Sequence, residues 1–478
     1  MKIKSIGLIL ITSTLLSSCF FTSTFKKYTD YVKDFDTYED IVGEGYIKPK
    51  EFSSISYMDG SITKTISNYD DIYEHRNTRT RLNSIGTQNL LVIPVAFSDD
   101  NLNLLPKGKD NTLIDLKNAF FGIEGNTQFE SVASFYNKSS YGKLILDGDV
   151  SSWCVLEHPA SYYVNLNNKE EVVKDIYHYS INWYKQNYTD IDKYYIDNDE
   201  NKGVSIFLVY AHEFIDNRSD DNLFWAYALI DPNPICFASV HFMYLEGKVK
   251  VDSRTYIHEL GHAFGLDDYY DKKSGATNYL GMLDMMDSSI GDHNPYSKML
   301  LNWARPYYVN ERASINIRPF TFSSDFILIN PNWNHSPFDE YLLVEYYVPS
   351  GLNNKFGEYI ISKPCIRIYH VDSRAAFFIK TLTYRKEGYI EQMSAPSNYY
   401  LRIGNENLSS DANKLIETIS KDGVLRLETL DYEKMYHKGD IFDTTYNFNN
   451  GLKVKVSIDI KNLNNEFVSL DISSSLVA

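Results

Sequence analysis

Apolar runs alternate with amphipathic segments through the first half of the chain. Residues 89–97 form an apolar run that ends at Ser98-Asp99-Asp100, which predicts a buried strand. Over residues 170–187 the apolar side chains recur at helical spacing, which predicts an amphipathic helix. The same criteria predict a helix at residues 131–136 and strands at residues 143–148, 204–210 and 236–244. Strands that alternate with helices indicate an α/β or α+β domain.

Beyond Trp303 the pattern predicts strands only. Short apolar stretches are separated by turn residues, as in an all-β domain. The predicted strands are residues 315–320, 326–329, 342–347, 366–371, 424–430, 454–460 and 467–472. We therefore expect an α+β domain over residues 88–308 and an all-β sandwich domain over residues 309–478.

The first residues resemble a bacterial export signal. A short basic start precedes an apolar core at residues 5–16, which is too short to span a bilayer. Cys19 follows small residues directly after this core, as in the lipobox of bacterial lipoproteins. We expect residues 1–18 to be a lipoprotein signal peptide and Cys19 to carry the lipid that anchors the protein to the cell membrane, outside the cytoplasm. The alternative is a plain secretory signal, in which Cys19 is incidental and the protein is secreted.

The segment that follows the signal, residues 19–87, is polar and has no sustained period. It contains an acidic stretch at residues 34–40 and a charged run at residues 70–81. We expect a tether or pro-like segment between the lipid and the first domain. A small ordered subdomain is the alternative.

Composition limits the classes of function. The chain of 478 residues carries 47 Lys and Arg against 63 Asp and Glu, a formal net charge of −16. Proteins that bind nucleic acid present a basic surface, whereas this chain is acidic, so we expect no nucleic-acid partner. No apolar run reaches the ~18 residues that a transmembrane helix needs. The three cysteines beyond Cys19 lack CxxC spacing, so a cysteine-based zinc site is not expected, and buried free thiols are favoured over one disulfide.

The strongest chemical signal is a pair of histidines one helical turn apart. His258 and His262 are four residues apart within a segment of helical apolar spacing, so both imidazoles lie on one face. Two imidazoles at this spacing can reach one Zn²⁺ ion. Glu259 is rotated away from the pair, beside the metal rather than on it. This is the position of a general base that acts on water at the metal.

A third ligand is expected from the loop that follows. Gly265 can adopt a positive φ, which ends the helix and turns the chain back. Asp268 then stands six residues after His262, and the whole reproduces the HExxHxxGxx(H/D) pattern of the metzincins. We favour Asp268 as the third ligand on spacing, with Asp267 as the neighbouring candidate. Three protein ligands leave the fourth position of a catalytic zinc open.

Further segments resemble the immune inhibitor A family of secreted bacterial zinc metallopeptidases. The resemblance covers roughly residues 88–475. It implies a metzincin-like zinc peptidase domain, with a twisted mixed sheet and an active-site helix, followed by a β region. The matching segments outside the zinc motif are residues 131–150, 267–271, 284–286, 297–298, 302–303, 338–346, 351–353 and 368–372.

The resemblance also implies a methionine under the metal, in a turn beyond the third ligand. Met282, Met285 and Met286 are the candidates, and we choose Met286 because a Ser-rich turn follows it. Its role would be that of an apolar floor. Some metzincins place a Tyr two residues later to bind the oxyanion, where this chain has Ser288. His293 is a substitute candidate for that donor, and a histidine on a surface loop is the alternative.

A second metal is suggested by an acidic turn. Asp197, Asp199 and Asn201 offer oxygen ligands at alternating positions, as in a Ca²⁺ loop. The glycine, Gly203, is one place late for an EF-hand. A solvated acidic turn without calcium is the alternative.

Together these features predict a zinc-dependent endopeptidase that hydrolyses extended or loosely folded proteins and peptides. Substrate is expected to pair with an edge strand, and the strand at residues 236–244 is the candidate. The alternative from another class is a lipid-anchored surface binding protein or adhesin with a vestigial peptidase domain.

Overall fold

Helices flank one six-stranded mixed sheet, and two five-stranded sheets and three two-stranded ones make up the rest of the described β structure. The computed structural model describes residues 26–27, 29, 43–59, 62–66, 81–166, 168–213, 223–229, 233–247, 251–271, 277–353, 360–373, 382–386, 389–393, 414–423 and 430–477. Cys19 and the predicted signal peptide lie outside the described residues, and so does most of the strand predicted at residues 424–430. The architecture is mixed α+β.

Eight α-helices are present in the described part of the chain. They are α1 (Gly108–Phe121), α2 (Val132–Ser139), α3 (Ala160–Val164), α4 (Lys169–Asn187), α5 (Arg254–Ala263), α6 (Met285–Ser288), α7 (Pro295–Leu300) and α8 (Phe320–Ser323). Short 3₁₀ segments lie at Leu102–Leu104, Ile191–Tyr194, Ile196–Asn198, Glu200–Lys202, Val240–Gly247, Gly351–Asn353 and Tyr432–Lys434.

The strands are numbered in chain order. The first eleven are β1 (Gly43–Glu44), β2 (Ile55–Asp59), β3 (Ile62–Ile66), β4 (Gly86–Ala96), β5 (Leu144–Val150), β6 (Cys154–Val155), β7 (Ile206–Tyr210), β8 (Tyr227–Leu229), β9 (Ile235–Ser239), β10 (Tyr270–Asp271) and β11 (Thr277–Asn278). The others are β12 (Tyr307–Val309), β13 (Arg312–Ile317), β14 (Phe326–Ile329), β15 (Glu340–Tyr347), β16 (Cys365–Asp372), β17 (Leu382–Lys386), β18 (Tyr389–Met393), β19 (Ile416–Ile419), β20 (Ile441–Asn447), β21 (Lys453–Leu463) and β22 (Val468–Val477).

The first large sheet, here called the helix-flanked sheet, has the strand order β5-β4-β7-β9-β8, and β6 pairs with β4. β5, β4, β7 and β9 are parallel, whereas β8 runs antiparallel to β9. β9 is therefore an interior strand, and the prediction that residues 236–244 form an edge is wrong. Among the strands that the structure describes, the terminal one on this side is β8.

The strand predicted at residues 236–244 also ends earlier than expected, at Ser239. The apolar residues Phe242 and Met243 belong to the 3₁₀ segment that follows, and both are buried in the core that covers one face of the sheet. These two residues are therefore apolar because they are buried, although they do not belong to a strand.

Alternate residues of the helix-flanked sheet enter different cores. Leu90 and Val92 of β4 pack with α1, α2 and α5, whereas Leu91 and Ile93 pack with α4 on the opposite face. Because the sheet is covered on both sides, its parallel strands read as continuous apolar runs. The helix predicted at residues 170–187 is confirmed as α4.

Two five-stranded sheets form the predicted β sandwich. The outer sheet has the order β1-β13-β22-β21-β20 and the inner sheet the order β12-β14-β15-β16-β19. Their facing side chains share one apolar core, which includes Ile315, Val344, Ile368 and Val456. The strand predicted at residues 315–320 instead ends at Ile317, since Pro319 has no N–H to donate to a neighbouring strand.

Strand β15 of the inner sheet is buried along its whole length. Leu342 and Val344 face the sandwich core, whereas Tyr341 and Leu343 belong to the core that contains α2, α5 and α7. The outward face of the inner sheet therefore packs on the helices of the first half of the chain.

Parts of the predicted tether have regular structure. β1 pairs with β13 and extends the outer sheet, and Ile47 bridges Tyr308 of the inner sheet. At the far end of this segment, the Arg81 guanidinium donates to the Phe264 carbonyl at 3.0 Å. Residues 43–47 and 81 thus contact the sandwich and the end of α5.

The remaining sequence expectations concern cysteines and the membrane. Cys154, Cys236 and Cys365 are free and buried, as predicted. Within the part of the chain that the structure describes, no helix is long and apolar enough to cross a membrane.

Replacing Leu343 by Ala should destabilise the protein as strongly as replacing Leu342, because both side chains are fully buried on opposite faces of β15. We expect each variant to lose about 2–5 kcal/mol of unfolding free energy. Urea unfolding followed by tryptophan fluorescence measures this loss. The exposed Ile441→Ala variant is the control, and a near-neutral Leu343→Ala would contradict the packing of the inner sheet on the helices.

Candidate metal centre

Helix α5 carries the metal motif and is fixed at its start by Asp252. The Oδ1 atom of Asp252 accepts a hydrogen bond from the backbone N–H of Arg254 at 3.1 Å, whereas Ser253 makes no capping bond to the helix. The Tyr256 hydroxyl donates to the Ser239 carbonyl at 3.0 Å. These contacts hold α5 against the end of β9.

The helix ends at a glycine reversal, as the sequence predicts. Gly265 has a φ of 100°, a conformation that favours glycine. Its N–H donates to the His262 carbonyl at 2.9 Å, and the Leu266 N–H donates to the Gly261 carbonyl at 3.1 Å. This pair of bonds is the Schellman motif, and it directs the following loop back along the helix.

His258, His262 and Asp268 converge beside the helix and are called the His-His-Asp group here. One ligand atom from each lies within 4.8 Å of the other two. Oδ1 of Asp268 lies 3.0 Å from Nε2 of His258 and 3.5 Å from Nε2 of His262. Of all the residues that the structure describes, these three form the one His/Cys/Asp/Glu group that could hold a metal ion.

Backbone carbonyls orient both imidazoles. Nδ1 of His258 lies 2.8 Å from the Met285 carbonyl, and Nδ1 of His262 lies 2.9 Å from the Leu266 carbonyl. A carbonyl only accepts hydrogen bonds, so each Nδ1 is the donor in its contact, and each ring presents its Nε2 to Asp268. This outer-shell arrangement is typical of metal-binding histidines. The donor set of two nitrogens and one carboxylate fits a catalytic zinc site.

Asp268, rather than Asp267, faces the histidines. The carboxylate of Asp267 accepts a hydrogen bond from the Asp268 backbone N–H at 2.9 Å and is partly exposed. Asp268 is buried. Asp267 thus stabilises the loop that presents Asp268.

The charge of Asp268 acts strongly on its neighbour. Burial alone would lower the pKa of His258, but the hydrogen bond and the charge of Asp268 outweigh burial and raise that pKa to about 9. Without a metal, a proton therefore bridges the two ligands at neutral pH. A metal ion must displace this proton to bind.

Glu259 is buried beside the edge of the helix-flanked sheet. Burial raises the pKa of Tyr227 in β8 and of Cys236 in β9, and the charge of Glu259 adds to both shifts. The Cys236 thiol also donates to the Glu259 carbonyl at 3.3 Å. The carboxylate that the sequence assigns as the base therefore lies near strand β8.

Met286 lies directly against α5. A Cβ atom added to Gly261 would stand 2.5 Å from the Met286 sulfur, so the glycine permits this close approach. The Met286 carbonyl also accepts a hydrogen bond from the Tyr269 N–H at 3.0 Å. Met286 is fully buried between Gly261 of α5 and Tyr269 of the following loop, and its role as an apolar floor under a metal stays a prediction.

His293 is buried, so the expectation of a histidine on a surface loop is wrong. Its ring packs against Phe135, Tyr136 and Trp303, with centroid distances of 5.5, 6.0 and 5.8 Å. Burial is the main cause that holds the pKa of His293 well below the usual value, and the positive charge of Lys298 lowers this pKa further. His293 is not part of the His-His-Asp group, and a role as oxyanion donor stays a prediction.

Two features near the site were missed by sequence reasoning. The first is the Met285 carbonyl, whose role depends on main-chain geometry that no motif records. The second is Tyr270, whose ring centroid lies 6.5 Å from that of His258. The acidic and aromatic run at residues 267–271 was the available signal for Tyr270.

The candidate calcium loop is occupied by other contacts. Asp197 pairs with Lys202 at 2.7 Å and accepts a hydrogen bond from Asn83 at 2.6 Å. Asp199 accepts hydrogen bonds from the backbone and side-chain nitrogens of Asn201. A Ca²⁺ ion would have to displace the ammonium group of Lys202, and the calcium site stays a prediction.

No protein-family model matches the chain, and no curated protein matches it significantly.

Asp268→Asn should lower metal affinity by about tenfold or more, because it removes the only anionic ligand of the His-His-Asp group. Asp267→Asn is the matched control and should bind as the wild type does. Competition between the protein and a chelator for Zn²⁺ measures both affinities. Equal losses in the two variants would contradict the assignment of Asp268 as the ligand.

Metal affinity should also rise with pH between 6 and 8. With the pKa of His258 near 9, a proton must leave for each metal bound, so affinity should rise about tenfold per pH unit. Chelator competition, corrected for the protonation of the chelator, tests this slope. An affinity that does not change over this range would contradict the shared proton.

Proposed function

We propose that this protein is a zinc-dependent endopeptidase that acts outside the cytoplasm. The observation that carries the proposal is the convergence of His258, His262 and Asp268, with Glu259 on the same helix. The mixed sheet, the helix with the histidine pair and the methionine packed against it are features that the metzincin resemblance implies, and they support the proposal.

The donor atoms favour zinc among the common metals. Two imidazole nitrogens and one carboxylate oxygen are ligands that catalytic zinc sites use, whereas Ca²⁺ and Mg²⁺ prefer oxygen ligands alone. When bound, zinc supplies Lewis acidity that polarises a carbonyl and lowers the pKa of water. The protein would contribute the rigid Nε2 directions that the carbonyls of Met285 and Leu266 set.

Glu259 is the proposed proton carrier. It would accept a proton from the attacking water and donate it to the nitrogen of the leaving amine, so that the peptide bond breaks without an unstable amide anion. Burying a carboxylate is costly unless nearby groups compensate, and Glu259 is only 6% exposed. A binding protein or adhesin has no use for this charge beside the His-His-Asp group, which argues against that alternative.

The edge strand β8 is the proposed site of substrate pairing, in place of the interior strand β9. β8 is the terminal strand of the helix-flanked sheet and packs near α5. An extended peptide that pairs with β8 would run past Glu259, whose charge acts on Tyr227 of this strand. Backbone pairing favours extended or loosely folded polypeptides.

The location outside the cytoplasm rests on the sequence. The export signal and the lipobox-like Cys19 support a lipid anchor on the cell membrane. Metabolic labelling with a radioactive fatty acid, compared between the wild type and Cys19→Ala, would test this anchor.

Glu259→Ala should retain zinc but lose casein cleavage by about 10²–10⁴-fold, because the metal ligands remain and the proton carrier is gone. Glu171→Ala, on the exposed face of α4, is the control and should cleave at the wild-type rate. Zinc content and initial cleavage rates are measured on the same preparations. Wild-type activity in Glu259→Ala would rule out Glu259 as the base.

A further inference from the structure

The main chain just before helix α6 is attached to the β sandwich. We call residues 279–283 the support segment. The Thr418 N–H donates to the Tyr279 carbonyl at 3.0 Å, and the Leu430 N–H donates to the Gly281 carbonyl at 3.0 Å. A Cβ atom on Gly281 would stand 2.2 Å from Cγ of Leu430, so the two chains are in close contact.

Apolar side chains from both halves of the chain form one cluster around this attachment. Leu283 and Ile290, on either side of α6, pack with Cys365, Leu430 and Met435 of the β half. All five are nearly inaccessible to solvent. The position of α6 therefore depends on contacts with residues that lie far along the chain.

Arg367 of β16 adds a charged contact to the support segment. Its side chain is 3% exposed, and one guanidinium nitrogen lies 3.1 Å from the Leu283 carbonyl and 3.5 Å from the Leu280 carbonyl. Its cross-strand neighbour Glu345 lies 3.6 Å away, and its guanidinium stacks 4.9 Å from the centre of the Tyr369 ring. A buried guanidinium is costly unless its donors are used. Here Nη2 is directed at two main-chain oxygens and Nη1 faces the Glu345 carboxylate, whereas Nε makes no hydrogen bond to any described residue.

From Leu283 the chain reaches the metal site within two residues. Asp284 caps α6, since its Oδ1 accepts from the Met286 N–H at 2.8 Å. Its Oδ2 accepts from both nitrogens of Asn294, at 2.8 and 2.9 Å. The next residue, Met285, presents the carbonyl that lies 2.8 Å from Nδ1 of His258.

We infer that contacts from the β sandwich set the geometry of the metal centre and that Arg367 is a positioning residue for His258. Arg367 fixes the Leu283 carbonyl, the support segment and Asp284 fix α6, and the Met285 carbonyl then sets the direction of the His258 ring. This inference rests on the proposed function, because it requires that His258 binds a metal. Loss of an outer-shell partner of a metal-binding histidine commonly lowers metal affinity by about 10–100-fold.

The test compares three variants of the full-length chain. Arg367→Met removes the charge and the donors but keeps the volume. Arg367→Lys keeps the charge and one donor group. Arg318→Met is the matched control, because Arg318 directly follows β13 of the outer sheet and forms an ion pair with buried Asp325 at 2.7 Å. Zn²⁺ affinity is measured by chelator competition, and ligand geometry by the visible absorption of the Co²⁺-loaded protein.

We expect Arg367→Met to weaken Zn²⁺ binding by about tenfold or more and to shift the Co²⁺ absorption bands. Arg367→Lys should fall between Arg367→Met and the wild type, and it serves as the test if Arg367→Met does not fold. Arg318→Met should leave the affinity and the spectrum unchanged. A general loosening of the sandwich would affect Arg318→Met as much as Arg367→Met.

The outcomes separate this inference from the proposed function. Wild-type affinity and spectrum in both Arg367 variants, with a wild-type protein that binds zinc and cleaves casein, would overturn the inference alone. An effect of equal size in Arg318→Met would also overturn it. A wild-type protein that binds no transition metal would overturn the proposed function and this inference together.

Discussion

The convergence of two imidazole nitrogens on one carboxylate oxygen is the constraint on which the rest of the structure depends. The helix alone brings the two rings to one face, but it cannot supply the carboxylate. That step requires Gly265 to reverse the chain and Asp267 to hold the loop, so that Asp268 lies 3.0 Å from His258. His258 and Asp268 are buried there, and the carbonyls of Met285 and Leu266 orient the two imidazoles.

The parts of the site that local sequence encodes could be predicted. The residues of the His-His-Asp group lie on one helix and the loop that follows it, and helical spacing with a glycine stop is enough to bring them together. Met286 follows closely in the sequence and packs against the same helix, and its role under a metal stays a prediction. Strand β7, a continuous apolar run, and helix α4, with apolar residues at helical spacing, could be predicted because their signals are local too.

Long-range arrangement could not be predicted from the same patterns. Whether a strand is interior or at an edge depends on which strands pair with it. The apolar run of β9 does not reveal this, and the pairing of β8 with β9 could therefore not be predicted. The burial of His293 could not be predicted, because its partners Phe135 and Tyr136 come from a distant helix. The pairing of β1 with β13 joins residues from opposite parts of the chain, and its two-residue length leaves no period to detect.

Strand β15 has a consequence for how this protein could change over evolution. Its two faces belong to different cores, so the inner sheet packs against the outer sheet on one side and against the helices on the other. Exchanging the sandwich for an unrelated module would remove Tyr341 and Leu343 and expose the helices that pack against them. We therefore expect the helix-containing part and the sandwich to occur together in related proteins, and not as independently recombined domains.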